Sequence, residues 1–77
     1  MPATIERLLE LIARRFSIQR SAIQPNQDIF EALGIDSVQV LELLSELEIA
    51  FDVEIPDYEL REVKTFAQLA EQIDKRL

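Results

Sequence analysis

The sequence predicts an all-α fold: a small four-helix bundle of three longer helices and one short helix, with a long ordered loop between helices 1 and 2. Apolar residues recur at helical spacing in three separate stretches. Residue types that cap helices precede those stretches, and cations close the first and the last of them. The one alternating run, Val53 and Ile55 between acids, is too short and unpartnered to make a sheet.

The first helix is expected over about residues 4 to 16, with Thr4 as its N-cap. Ile5, Leu8, Leu9, Ile12 and Phe16 mark its inner face, and Arg14 and Arg15 suit the negative pole at its end. Residues 17 to 36 then form a connection that is long for so small a domain. Ile18, Ile23, Ile29, Phe30 and Leu33 are spaced along it as anchors, Ser21 starts a single helical turn, and Pro25-Asn26 breaks what precedes it. A long ordered loop of this kind is more often functional than decorative.

Leu33-Gly34-Ile35-Asp36-Ser37-Val38 reads as a loop ending and a helix beginning. Gly34 supplies a backbone conformation that other residues strain to adopt, and Asp36 and Ser37 are types that accept from free N–H groups of a first turn. The central helix runs on to about Phe51, with Val40, Leu43, Leu44, Leu47 and Phe51 on its core side. Its opposite face mixes Val38, Leu41 and Ile49 with Glu42, Ser45, Glu46 and Glu48. Scattered surface apolar residues are ordinary, so this face alone decides nothing.

Pro56-Asp57 opens a short helix over Tyr58 to about Glu62, which Val63 and Lys64 link to the last element. Thr65 and Gln68 form a capping-box pattern there. Phe66, Leu69, Ala70, Ile73 and Leu77 make the inward stripe, and Lys75 and Arg76 close the helix.

Composition excludes several functions. Seventy-seven residues, read as one domain over 1–77, give a thin core. Fifteen acidic residues against eight basic ones leave a net charge of −7, which argues against nucleic acid and favours partners with basic surfaces. There is no Cys and no His, so disulfides, thiolate metal sites and the commonest general base are absent. No apolar run has the length of a membrane span, and no signal-peptide pattern opens the chain, so a cytoplasmic monomer is expected. Ser37 has no His to activate it, and nothing in the sequence places Lys64 or Lys75 beside it. No EF-hand loop occurs, so no metal ligands are assigned. The chain reads as a protein that is not an enzyme.

Gly34-Ile35-Asp36-Ser37-Val38, preceded by Phe30-x-x-Leu33 and followed by Leu41-Glu42-Leu43, resembles the attachment site of acyl carrier proteins. Phe51-Asp52-Val53-Glu54-Ile55-Pro56-Asp57 resembles the same family's segment after its second helix, so the likeness spans nearly the whole chain. The resemblance implies that a phosphopantetheinyl transferase moves 4′-phosphopantetheine from coenzyme A onto Ser37 as a phosphodiester, with Asp36 orienting the Ser and the metal-assisted transfer. The arm's thiol then carries acyl groups as thioesters, which suits a chain without Cys. A helix N-terminus also favours the added phosphate.

The same resemblance makes the outer face of the central helix a recognition surface for acyl-loading, condensing and other acyl-processing enzymes. Glu42 and Glu48 match acidic contacts, Val38 and Leu41 apolar ones, and Ile55 a further contact. It also implies sequestration of the acyl chain between helices, for which Leu43, Leu47, Ile55, Leu60, Val63 and Leu69 are the candidates; all six equally read as plain core. The chain departs from the pattern at Gln39, where carriers of bacterial fatty acid synthesis usually have an acid, and at Ile49-Ala50, which replace part of an acidic run. Fatty acid, polyketide and related lipid pathways therefore stay open, as do a peptidyl or aminoacyl carrier and an unmodified acidic adaptor for a basic partner.

Overall fold

The helix boundaries follow the capping residues more closely than the apolar pattern. The computed structural model describes residues 3–77, so Met1 and Pro2 lie outside the described residues. Among the described residues there are five α-helices: α1 (Ala3–Arg15), α2 (Ile29–Leu33), α3 (Ser37–Phe51), α4 (Asp57–Leu60) and α5 (Phe66–Asp74), with a 3₁₀ turn at Arg20–Ala22. The three longer helices and the short α4 match the expected bundle, and α2 is an additional turn of helix inside the expected loop.

Of the predicted stripe, Ile5, Leu8, Leu9 and Ile12 are buried in α1, while Phe16 lies just past the end of the helix and packs partly buried against the core. Thr4 does not cap α1. The helix begins at Ala3, and the buried Thr4 hydroxyl donates to the carboxylate of Asp74, tying the start of α1 to the end of α5, along which it packs. Ser17 ends α1 in the left-handed region at φ 56°, and the Ile18 N–H reaches back to the Ala13 carbonyl at 2.9 Å.

The connection from α1 to α3 is pinned in part as predicted. Ile23 and Ile29 are fully buried, whereas Ile18 and Phe30 remain more than a third exposed. Backbone bonds stitch the connection to the α4–α5 link and the start of α5: Ile29 N–H donates to the Lys64 carbonyl at 2.8 Å and Ala67 N–H to the Pro25 carbonyl at 2.9 Å. Asp28 caps α2 by accepting from the Glu31 N–H at 3.1 Å. Gly34 closes it at φ 63°, in the left-handed region that glycine enters without a Cβ penalty.

The core lies between α1, α3 and α5. Leu43, Leu44, Leu47 and Phe51 bury one side of α3, and Asp52 at φ 56° then turns the chain back, so that Val53 and Ile55 join the same core. Thr65 and Gln68 make the predicted capping box of α5, and Phe66, Leu69, Ala70 and Ile73 are buried. Leu77 leaves the expected stripe: α5 ends at Asp74 and Leu77 is 68% exposed.

Candidate functional site at the start of α3

The site is built by two helix signals set two residues apart, Gly34 ending α2 and Asp36 starting α3. The Asp36 carboxylate accepts from the Gln39 N–H at 2.9 Å, and the Gln39 side-chain oxygen accepts from the Asp36 N–H at 3.2 Å. This reciprocal capping box satisfies two of the donors at the helix start. Ser37 is therefore the first residue of α3 and not its cap. It is exposed, and its hydroxyl lies outside the capping network, at the positive end of a fifteen-residue helix.

Ser37 also borders a cavity of about 400 Å³. Val40, Leu41 and Leu44 of α3 form one wall, and Ile29 and Phe30 of α2 form another. Leu60 and Val63 face them, with Arg61 and Lys64 completing the lining. The surface of this hollow is mostly apolar, so it can hold a hydrocarbon or an amide-linked chain next to a hydroxyl.

Only Leu60 and Val63 of the residues expected to line an acyl space border this cavity. Leu43 and Leu47 border a different hollow, of about 330 Å³, with Leu11 and Arg15 around it and without Ser37. Ile55 and Leu69 are packed core. The sequence reading missed Ile29, Phe30, Val40 and Leu44 as lining. Val40 and Leu44 show in the sequence only as inward periodicity, which they share with the core, and Ile29 and Phe30 only as apolar anchors of the long connection.

On the outer face of α3, Val38 is 66%, Leu41 53% and Ile49 81% exposed, and Glu42 is exposed beside them. Two expected contacts are placed otherwise. Ile55 is buried at 6%, so it is a core residue in this structure and presents no surface. Glu48 is half-buried, and its carboxylate accepts from the Ile55 N–H at 2.8 Å, bracing the chain where it leaves α3. Glu46 pairs with Arg15 at 3.0 Å across to α1. Among the described residues no group of three or more His, Cys, Asp or Glu is placed to hold a metal, and no helix is long and apolar enough to cross a membrane.

An exposed serine hydroxyl left out of its helix cap and set beside an apolar cavity is an arrangement that can bear an attached group. The family profile for the phosphopantetheine attachment site matches residues 6–73. The chain is 33% identical to the acyl carrier protein of Syntrophobacter fumaroxidans over 69 residues, covering 90% of this chain and 85% of that one. It is 32% identical to the acyl carrier protein of Chlorobium phaeobacteroides over 71 residues, covering 92% and 91%. The solved acyl carrier protein from Enterococcus faecalis shares the fold with a TM-score of 0.77, at 24% identity, over 96% of this chain and 94% of that one.

The chain belongs to the acyl carrier protein family. Proteins of this family carry covalently attached 4′-phosphopantetheine, are modified by a phosphopantetheinyl transferase, and hand groups among acyl-processing enzymes as carriers, not as catalysts.

Proposed function

We propose that Ser37 is the attachment point for the 4′-phosphopantetheine arm and that the protein carries acyl groups on it. The observation that supports this reading most is the exposed first-turn position of Ser37 with Asp36 doing the capping in its place. A residue locked into the cap would present its hydroxyl to the helix and not to a transferase. The cavity beside Ser37 gives the arm an adjoining apolar surface, so the residues present fit the group. When attached, the arm supplies the thiol that the chain itself lacks, and acyl groups ride on it as thioesters. Asp36 keeps the start of α3 in register, and the N–H groups of the first turn favour the phosphate that Ser37 bears.

The exposed face of α3 supports a docking role. Val38 and Leu41 give it an apolar centre and Glu42 an acidic rim, and α3 contains no basic residue, so basic partner surfaces are drawn to it. Fatty acid, polyketide or related lipid biosynthesis is the pathway class we assign, with the transferase and acyl-processing enzymes as partners of a cytoplasmic monomer organised as one carrier domain.

Incubation with coenzyme A and a broad-specificity phosphopantetheinyl transferase tests the attachment. Intact mass rises by one phosphopantetheine in the unaltered protein and stays unchanged in Ser37→Ala. An unmodified adaptor shows no mass gain in either.

A further inference from the structure

We propose that Arg61 and Lys64 form an anion seat for the phosphodiester at Ser37, holding the root of the arm against the cavity mouth. The inference rests on the attachment reading above.

An anion added to this chain meets strong opposition, because fifteen carboxylates already outweigh eight cations. Three of the eight cations are held in ion pairs elsewhere: Arg15 with Glu46, Arg20 with Glu6 and Arg76 with Glu59. Arg7 donates to the Ala50 carbonyl and lies 4.6 Å from the centre of the Phe51 ring. Arg61 and Lys64 are exposed and join no ion pair among the described side chains. Both line the one cavity that Ser37 also lines.

The placement is directional. Leu60 and Val63 pack against the core and line the cavity, and the exposed Arg61 and Lys64 line it with them, long side chains whose charged heads can reach an anion at its mouth. Ser37 approaches the same hollow at the positive end of α3. A phosphodiester there is flanked by the helix start and by two exposed cations, one of them a guanidinium suited to paired phosphate oxygens. Such a contact between exposed charges is weak for a free ion. The phosphodiester is bonded to Ser37 itself, so the contact is intramolecular and does not bear the cost of bringing a free ion to the site.

The test compares apo and holo forms of the unaltered protein, Arg61→Gln/Lys64→Gln and Lys75→Gln, the last being an exposed cation outside this cavity. Intact mass first establishes uptake of one phosphopantetheine. If the unaltered protein takes up none, the attachment reading fails and this inference with it. With uptake established, loading is expected to move the amide NMR signals of residues 61 to 64 and to raise Tm by about 2–4 °C at low salt in the unaltered protein and in Lys75→Gln. Both changes fall by at least half in the double variant, and in the unaltered protein at about 0.5 M salt. Should the double variant fail to fold, Arg61→Gln and Lys64→Gln are each read alone, and each loses part of the response. No response to loading at residues 61 to 64, or one as large in the variants as in the unaltered protein, overturns the seat while leaving attachment at Ser37 standing.

Discussion

Removing the Asp36 carboxylate perturbs the site at its structural root, and the capping geometry sets the magnitude. Asp36 accepts from the Gln39 N–H at 2.9 Å and is exposed, so in Asp36→Ala water replaces the lost acceptor and no group is left stranded. The cap itself is worth about 1 kcal/mol, and a negative charge at the positive end of α3 adds about 0.3–1 kcal/mol. Asp36→Ala is therefore expected to cost about 1–2 kcal/mol. In a domain of this size that lowers Tm by about 5–15 °C. Asp36→Asn keeps an equally good cap and loses only the charge, so its Tm falls by about 2–6 °C. Thermal unfolding of the apo forms, followed by far-ultraviolet circular dichroism, gives the order unaltered, Asn, Ala. Because the start of α3 positions Ser37, loading by the transferase below both transitions is slower in Asp36→Ala than in Asp36→Asn. An Ala variant that melts with the unaltered protein, or an Asn variant that melts as low as Ala, would refute the claim that capping by Asp36 holds the site.

The two α3 carboxylates proposed from sequence as equivalent contacts should separate. Glu48→Lys removes the acceptor of the Ile55 N–H and lowers stability by about 1–3 kcal/mol, whereas Glu42→Lys leaves Tm within about 2 °C and slows loading most at low salt. Equal Tm values for the two in chemical and thermal melts would count against the brace. Gly34→Ala meets no atom within 4 Å of the added Cβ, so its cost is the left-handed backbone alone, about 1–2 kcal/mol in denaturant midpoint measurements. A cost above about 3 kcal/mol would show that this junction tolerates no local adjustment. Leu8 is fully buried, and Leu8→Ala should cost about 2–5 kcal/mol, a large share of the roughly 4–12 kcal/mol expected for a chain of this length. Urea unfolding that shows less than about 1 kcal/mol would place Leu8 outside the shared core.

Much of this architecture is legible in the sequence because α1, α3 and α5 each bury a stripe long enough to show helical spacing. The short α2 is not, because five residues give barely more than one turn of periodicity. Its only local marks are Asp28 before it and Gly34 after it, a cap and a left-handed stop enclosing Ile29–Leu33. Thr4 misleads for a related reason: its cap-forming chemistry is real, but tertiary contact with Asp74 takes the hydroxyl. Ser37 stands out through its neighbours, and the sequence also places Asp36 and Gln39 at cap and third position, the pattern of the capping box observed. The roles of Glu48 and Ile55 depend on the reversal at Asp52, which returns the Ile55 N–H to the flank of α3; no helical spacing encodes that return. The cavity is hidden likewise. Periodicity shows that Leu43 and Leu44 both turn inward, but not that Leu44 edges the hollow at Ser37 while Leu43 lies on the far side.

The central claim is that one hydroxyl, carried by the first residue of α3 and left out of its cap, receives the arm. Fragment mass mapping of the loaded protein tests it most directly, since the chain also contains Ser17, Ser21 and Ser45 as competing hydroxyls. The phosphopantetheine mass is expected on the fragment ions that contain Ser37 and on no other serine. The same mass on Ser17, Ser21 or Ser45, or uptake that persists in Ser37→Ala, would contradict the account.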